Sequence, residues 1–143
     1  MWQRLVSVSL GCLVLAMVSA VRAEEHATDS LDKVLQAVKD KKAILIDVRE
    51  KLEWDRGHLK EAKLLPLSVL KNGSASTELG KAVPKDLSKD TIIYVHCASG
   101  YRCLEAAPLI RKQGYETRAL PAGYKELLKS GFTQAPADKP STP

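Results

Sequence analysis

Two cysteines six positions apart, Cys97 and Cys103, bracket a glycine and an arginine in the stretch HCASGYRC, residues 96–103. A disulfide, a metal site and a reactive thiol are the three chemistries open to such a pair. A metal is disfavoured, because His96, Cys97 and Cys103 crowd one strand end and one helical turn and lack the separated ligand pairs of a zinc site. A domain of about 120 residues buries enough apolar surface to stand without a crosslink, so stability does not require a disulfide. The reactive thiol has positive support. A short turn between a strand ending at His96 and a helix starting near Arg102 can aim several backbone N–H groups at the Cys97 sulfur. The helix adds the positive end of its dipole at the same place. Such surroundings lower a cysteine pKa from about 8.5 into the range of roughly 3.5 to 7.5. Gly100 permits backbone angles or close approaches that a side chain forbids. Ala98 and Ser99 are small and leave the mouth open, and Arg102 can support the loop or a bound anion. A thiolate already formed needs no general base.

The elements that must hold this loop alternate along the chain. Leu31, Val34, Leu35 and Val38 fall at helical spacing behind Asp29 or Ser30, whose side-chain oxygens can cap the helix. AILIDV (43–48) is a continuous apolar run, as in a strand buried on both faces of a parallel sheet. KLEWDRGH reads as a loop or short helix ending at Gly57. AKLLPL is a second strand stopped by Pro66, which cannot donate to a ladder. A polar loop over 71–76 precedes a short helix ended by Val83-Pro84. TIIYVHC is the strongest strand; a helix closed by Gly114 follows, with Pro108 inside it. A fourth strand (YETRALP) and a closing helix (GYKELLKSGF) complete residues 24–133. Residues 134–143 read as a disordered, proline-rich tail. This alternation predicts an α/β fold with helices on both faces of a parallel sheet. Ligands of such folds bind beyond the carboxyl ends of the strands, where Cys97 stands.

The chain has 143 residues and a formal charge of +5, so one domain plus extensions is expected. Residues 1–23 carry Arg4, an apolar stretch and Val21-Arg22-Ala23, the layout of a secretory signal peptide cleaved after Ala23. The apolar stretch, 5–21, is long for such a peptide, and an uncleaved membrane anchor is the alternative. Cleavage removes Cys12, Arg4 and Arg22, leaving a charge of +3 and two cysteines. No basic block interleaves with aromatics, which argues against nucleic acid as a partner, while small anions stay compatible.

IDVRE (46–50), EW (53–54), GHLKEAKLLP (57–66), CASGYR (97–102) and LPAGYKELLKSGF (120–132) resemble, in order and spacing, the signatures of single-domain rhodanese-like sulfurtransferases. With the leader, the whole resembles a small periplasmic rhodanese of bacteria. The resemblance implies a mainly parallel five-stranded sheet, its fifth strand near 26–28. It also implies transfer of sulfane sulfur from thiosulfate or a persulfide donor to cyanide or a thiol through a Cys97 persulfide. Ala98, Ser99, Gly100, Tyr101 and Arg102 would cradle the substrate. No metal or cofactor is expected, and partners would be small sulfur anions and thiols, with the protein a monomer not stably bound to membrane. Related phosphatases carry one more residue between cysteine and arginine; Cys97-x4-Arg102 matches the sulfur-handling version. Cys103 stands where many relatives have serine or threonine, and reads as a small buried residue or as a resolving thiol. The latter supports a rival reading, a non-catalytic or redox-sensing module using Cys97 and Cys103. His96 should point away from the Cys97 sulfur, since adjacent strand residues face opposite sides. Asp47 and Arg49 should form a buried charge network beside the crevice, with His58 bonded to backbone or to Asp47. Trp54 and Tyr124 read as packing residues.

Overall fold

The structure, a computed structural model, describes residues 24–136. The expected leader, 1–23, and residues 137–143 of the expected tail lie outside the described residues. The two long apolar runs form adjacent central strands, β1 (Ala43–Asp47) and β3 (Ile92–His96). They pair in parallel from Ala43 opposite Ile92 to Asp47 opposite His96. β2 (Ala62–Leu64) flanks β1 and β4 (Thr117–Ala119) flanks β3, also in parallel, giving the order β2-β1-β3-β4. Parallel strands need crossovers, and helices supply them. α2 (Lys51–Asp55) joins β1 to β2, α3 (Leu67–Val69) and α4 (Ala75–Ala82) join β2 to β3, and α5 (Tyr101–Arg111) joins β3 to β4, while α1 (Leu31–Lys39) precedes β1 and α6 (Tyr124–Lys129) follows β4.

The two central strands are mostly apolar up to Asp47 and His96, because both of their faces are covered. Ile46, Ile93 and Val95 pack with Leu70, Leu79, Ala106 and Ile110 on one side. Ala43, Leu45 and Tyr94 pack with Val34, Leu127 and Phe132 on the other. The period-two alternation of strand side chains divides the two cores. It also sends Cys97 to the first core and turns His96 toward the second face, as expected from its place before the cysteine.

Several details depart from expectation. The fifth strand is reduced to one parallel bridge between His26 and Ala119, with the Ala27 N–H donating to Ala119 O at 2.7 Å. Asp29 pairs through its side chain with Arg118 of β4 at 2.9 Å, and α1 begins two residues later, so the segment is too short for a longer ladder. With its side chain on Arg118, Asp29 does not cap α1, and the Ser30 side chain makes no capping bond either. The expected loop at 71–76 shrinks to a tight break: helical backbone runs past α3, stops at Gly73, whose φ of 88° is left-handed, and resumes in α4 at Ala75. Burial of Leu70 and Ala75 against the sheet anchors both of its ends. Pro108 sits inside an α5 that continues to Arg111; having no N–H, it leaves the Leu104 carbonyl without its helical donor. The fold also runs past residue 133: Gln134 bridges to Leu59 and the Ala135 N–H donates to His58 O at 2.9 Å.

Candidate active site

β3 ends at His96, the chain turns through Cys97, Ala98, Ser99 and Gly100, and α5 starts at Tyr101. Gly100 holds the turn at φ 87°, a left-handed conformation that favours glycine, and a Cβ there would lie 2.5 Å from Pro121 O. This geometry brings the Gly100 N–H within 3.1 Å of Cys97 Sγ. A hydrogen bond from the Cys103 thiol, joined by the amides of Ser99, Cys103 and Gly100, outweighs burial and lowers the Cys97 pKa to about 4. Cys97 is therefore a thiolate at neutral pH. It is also recessed, only 1% exposed, while Ala98, Ser99 and Tyr101 form an exposed lip.

The segment after β4 braces the loop from behind. The Tyr124 N–H donates to Cys97 O at 2.9 Å. Gly123 presses so close that a Cβ there would sit 1.9 Å from Ala98 O. Only glycine allows this backbone-to-backbone approach.

Arg102 is not a free cation. It donates twice to Glu53, at 2.6 and 2.7 Å, clasping the first turn of α5 to α2. These bonds hold the Glu53 carboxyl at about 2 and push the Arg102 pKa up. Of the two roles open to Arg102, loop support is the one this geometry serves. Glu53 had no assigned role in the sequence reading, although it lies in the EW motif; no local signal pairs it with a residue 49 positions away.

Asp47 and Arg49 form the buried charge network expected beside the crevice, with the buried His96 next to it. The Arg49 backbone N–H donates to Asp47 Oδ1 at 2.9 Å, and its Nε and Nη2 grip the same carboxylate. Nη2 also donates to Gly57 O at 2.9 Å, and the guanidinium lies 4.2 Å from the Tyr124 ring centroid. Burial lowers the His96 pKa, so its ring is neutral. Its Nδ1 lies 3.3 Å from Cys97 O and its Nε2 lies 3.6 Å from Asp47 Oδ2, too far to bond. His58 does not touch Asp47. It stacks on Trp54 with centroids 3.7 Å apart and donates from Nδ1 to Trp54 O at 3.1 Å, because Arg49 already saturates the carboxylate.

Cys103 is buried and free, as is Cys97. Its Sγ lies 2.7 Å from Gly100 O and 3.1 Å from Leu120 O. Its bond to the Cys97 thiolate, with burial, raises its own pKa far above the thiol range. Cys103 therefore keeps its proton and acts as a donor; one S–H serves the thiolate or a carbonyl at any moment. A second residue absent from the sequence reading reaches the same carbonyl: His26 Nε2 lies 2.8 Å from Gly100 O. Among the described residues no group of three His, Cys, Asp or Glu side chains is placed to hold a metal ion.

A strand-end cysteine in a loop of inward amides, on a parallel sheet covered on both faces, defines a class. The chain belongs to the rhodanese-like domain family, whose description its residues 30–130 match. It is 35% identical over 75 residues to the probable adenylyltransferase/sulfurtransferase MoeZ of Mycobacterium tuberculosis, covering 52% of this chain and 17% of that protein. It is 34% identical over 87 residues to the uncharacterized protein YqhL of Bacillus subtilis, covering 60% and 61%. The chain thus spans less than two thirds of either relative. Its fold is similar to that of the human single-domain sulfurtransferase TSTD1, with a TM-score of 0.59, 24% identity, and 73% and 97% of the two chains covered.

Proposed function

We propose that this protein is a sulfurtransferase that moves sulfane sulfur from thiosulfate or a persulfide donor to a thiophilic acceptor through a persulfide on Cys97. The observation that carries the reading is the recessed Cys97 Sγ held 3.1 Å from the Gly100 N–H, in surroundings that keep it a thiolate. At pH 7 a thiol with a pKa of about 8.5 is only about 3% ionised, whereas Cys97 is ionised almost completely. The thiolate attacks the outer sulfur of thiosulfate; the new S–S bond forms as sulfite leaves with the electron pair of the broken one. Cys97–S–S⁻ remains, its charge turned toward the same surroundings. Cyanide or a thiolate then takes the outer sulfur and returns the electron pair to Cys97.

The loop chooses between donors as well. Its cation, Arg102, is neutralised by Glu53, so the cradle offers dipoles rather than net positive charge. That suits a monoanionic persulfide better than dianionic thiosulfate, and we place a thiol persulfide first among donors. The leader-like residues 1–23 support export to the periplasm, where a monomer would act.

Intact mass after incubation with thiosulfate and, separately, with glutathione persulfide tests the reading. Wild type should gain one sulfur atom, more completely from the persulfide, and Cys97→Ser none. Equal turnover in wild type and Cys97→Ser would end the proposal. The rival redox module, suggested by two free cysteines side by side, would instead show a Cys97–Cys103 bridge in the purified protein.

A further inference from the structure

The Gly100 peptide is used on both sides. Its N–H holds Cys97 Sγ at 3.1 Å, and its carbonyl faces Cys103 Sγ at 2.7 Å and His26 Nε2 at 2.8 Å. His26 is brought there from 74 positions away. Its backbone is pinned by the bridge to Ala119 and by the Ala27 N–H bond to Ala119 O, so the ring has a fixed origin at the edge of β4. The carbonyl has two lone pairs and two donors.

We infer that His26 is a positioning residue for Cys97: its Nε2–H, beside the Cys103 S–H, fixes the Gly100 peptide whose N–H holds the sulfur. The Cys103 S–H cannot serve Gly100 O and the Cys97 sulfur together. If Gly100 O depended on Cys103 alone, turning the S–H to the thiolate would leave a buried carbonyl unpaired, which is unfavourable. With His26 on it, the Gly100 carbonyl keeps a donor whichever way the S–H turns. The stretch that failed to become a fifth strand thereby becomes the outer support of the reactive loop. This inference rests on Cys97 being the reactive thiol, but it concerns the thiolate alone and not sulfur transfer.

The test is the pH dependence of Cys97 alkylation by iodoacetamide, which needs no sulfur donor. Failure of sulfur transfer would therefore leave it standing. His26→Ala should raise the alkylation midpoint by about one pH unit, the scale of one lost hydrogen bond. His26→Gln, whose amide can donate to the same carbonyl, should recover most of the shift. An unchanged midpoint in His26→Ala, or equal rises in both variants, would overturn the inference. Nitrogen NMR of the wild-type ring is an independent check should His26→Ala fold poorly. A proton on Nε2 is required, and a ring protonated only on Nδ1 would refute the contact.

Discussion

Replacing Cys103 with alanine removes the first donor to the Cys97 thiolate while leaving the loop amides in place. A hydrogen bond to a charged group is worth about 1.5–3 kcal/mol, or about one to two pKa units. The Cys97 pKa should therefore rise from about 4 to about 5–6. Near neutrality the thiolate population stays almost complete. At about pH 5 it falls from roughly 90% to between about 10% and 50%, a two- to tenfold loss. The assays are the alkylation midpoint and the acid limb of the pH–rate profile for sulfur transfer, which should move together. Cys103→Ser retains an O–H donor and should lie between wild type and alanine. A midpoint that stays at about 4 in Cys103→Ala would refute the donor role. Equal loss of turnover at every pH in both variants would point to a sulfur-carrying role instead.

Glu53→Gln should release Arg102 from its ion pair. Both side chains are about one-third exposed, so the loss of stability should be about 1 kcal/mol or less in a urea titration, while the KM for thiosulfate falls as the mouth gains net positive charge. Gly123→Ala places a Cβ 1.9 Å from Ala98 O, and the strain should cost about 1–3 kcal/mol in chemical denaturation and raise the Cys97 alkylation midpoint as the loop shifts. Cys97 also couples folding to pH. Its pKa is about 9 unfolded and about 4 folded, so the stabilisation is full above pH 9, declines as pH falls, and is gone below about 4. Melting temperature should therefore fall more steeply from alkaline to acid pH in wild type than in Cys97→Ser; parallel curves would contradict the depressed pKa.

Much of this protein is encoded within short windows. AILIDV and TIIYVHC declare two doubly covered strands, because burial on both faces demands unbroken apolar runs wherever they pair. The reactive turn is equally local, since Gly100 and Cys97 are three positions apart and the turn needs only small residues and a left-handed glycine. The tertiary structure alone decided who supports that turn. Arg102 meets Glu53, His26 meets Gly100, Cys103 meets Leu120 and Gly123 presses on Ala98, all joined by the stacking of β3 against its neighbours rather than by sequence separation. The fifth strand stops at a single bridge because α1 starts only five residues after His26. Local patterns report which faces are apolar and where a chain must turn. They carry no record of which distant side chain will satisfy a polar group once those faces have packed.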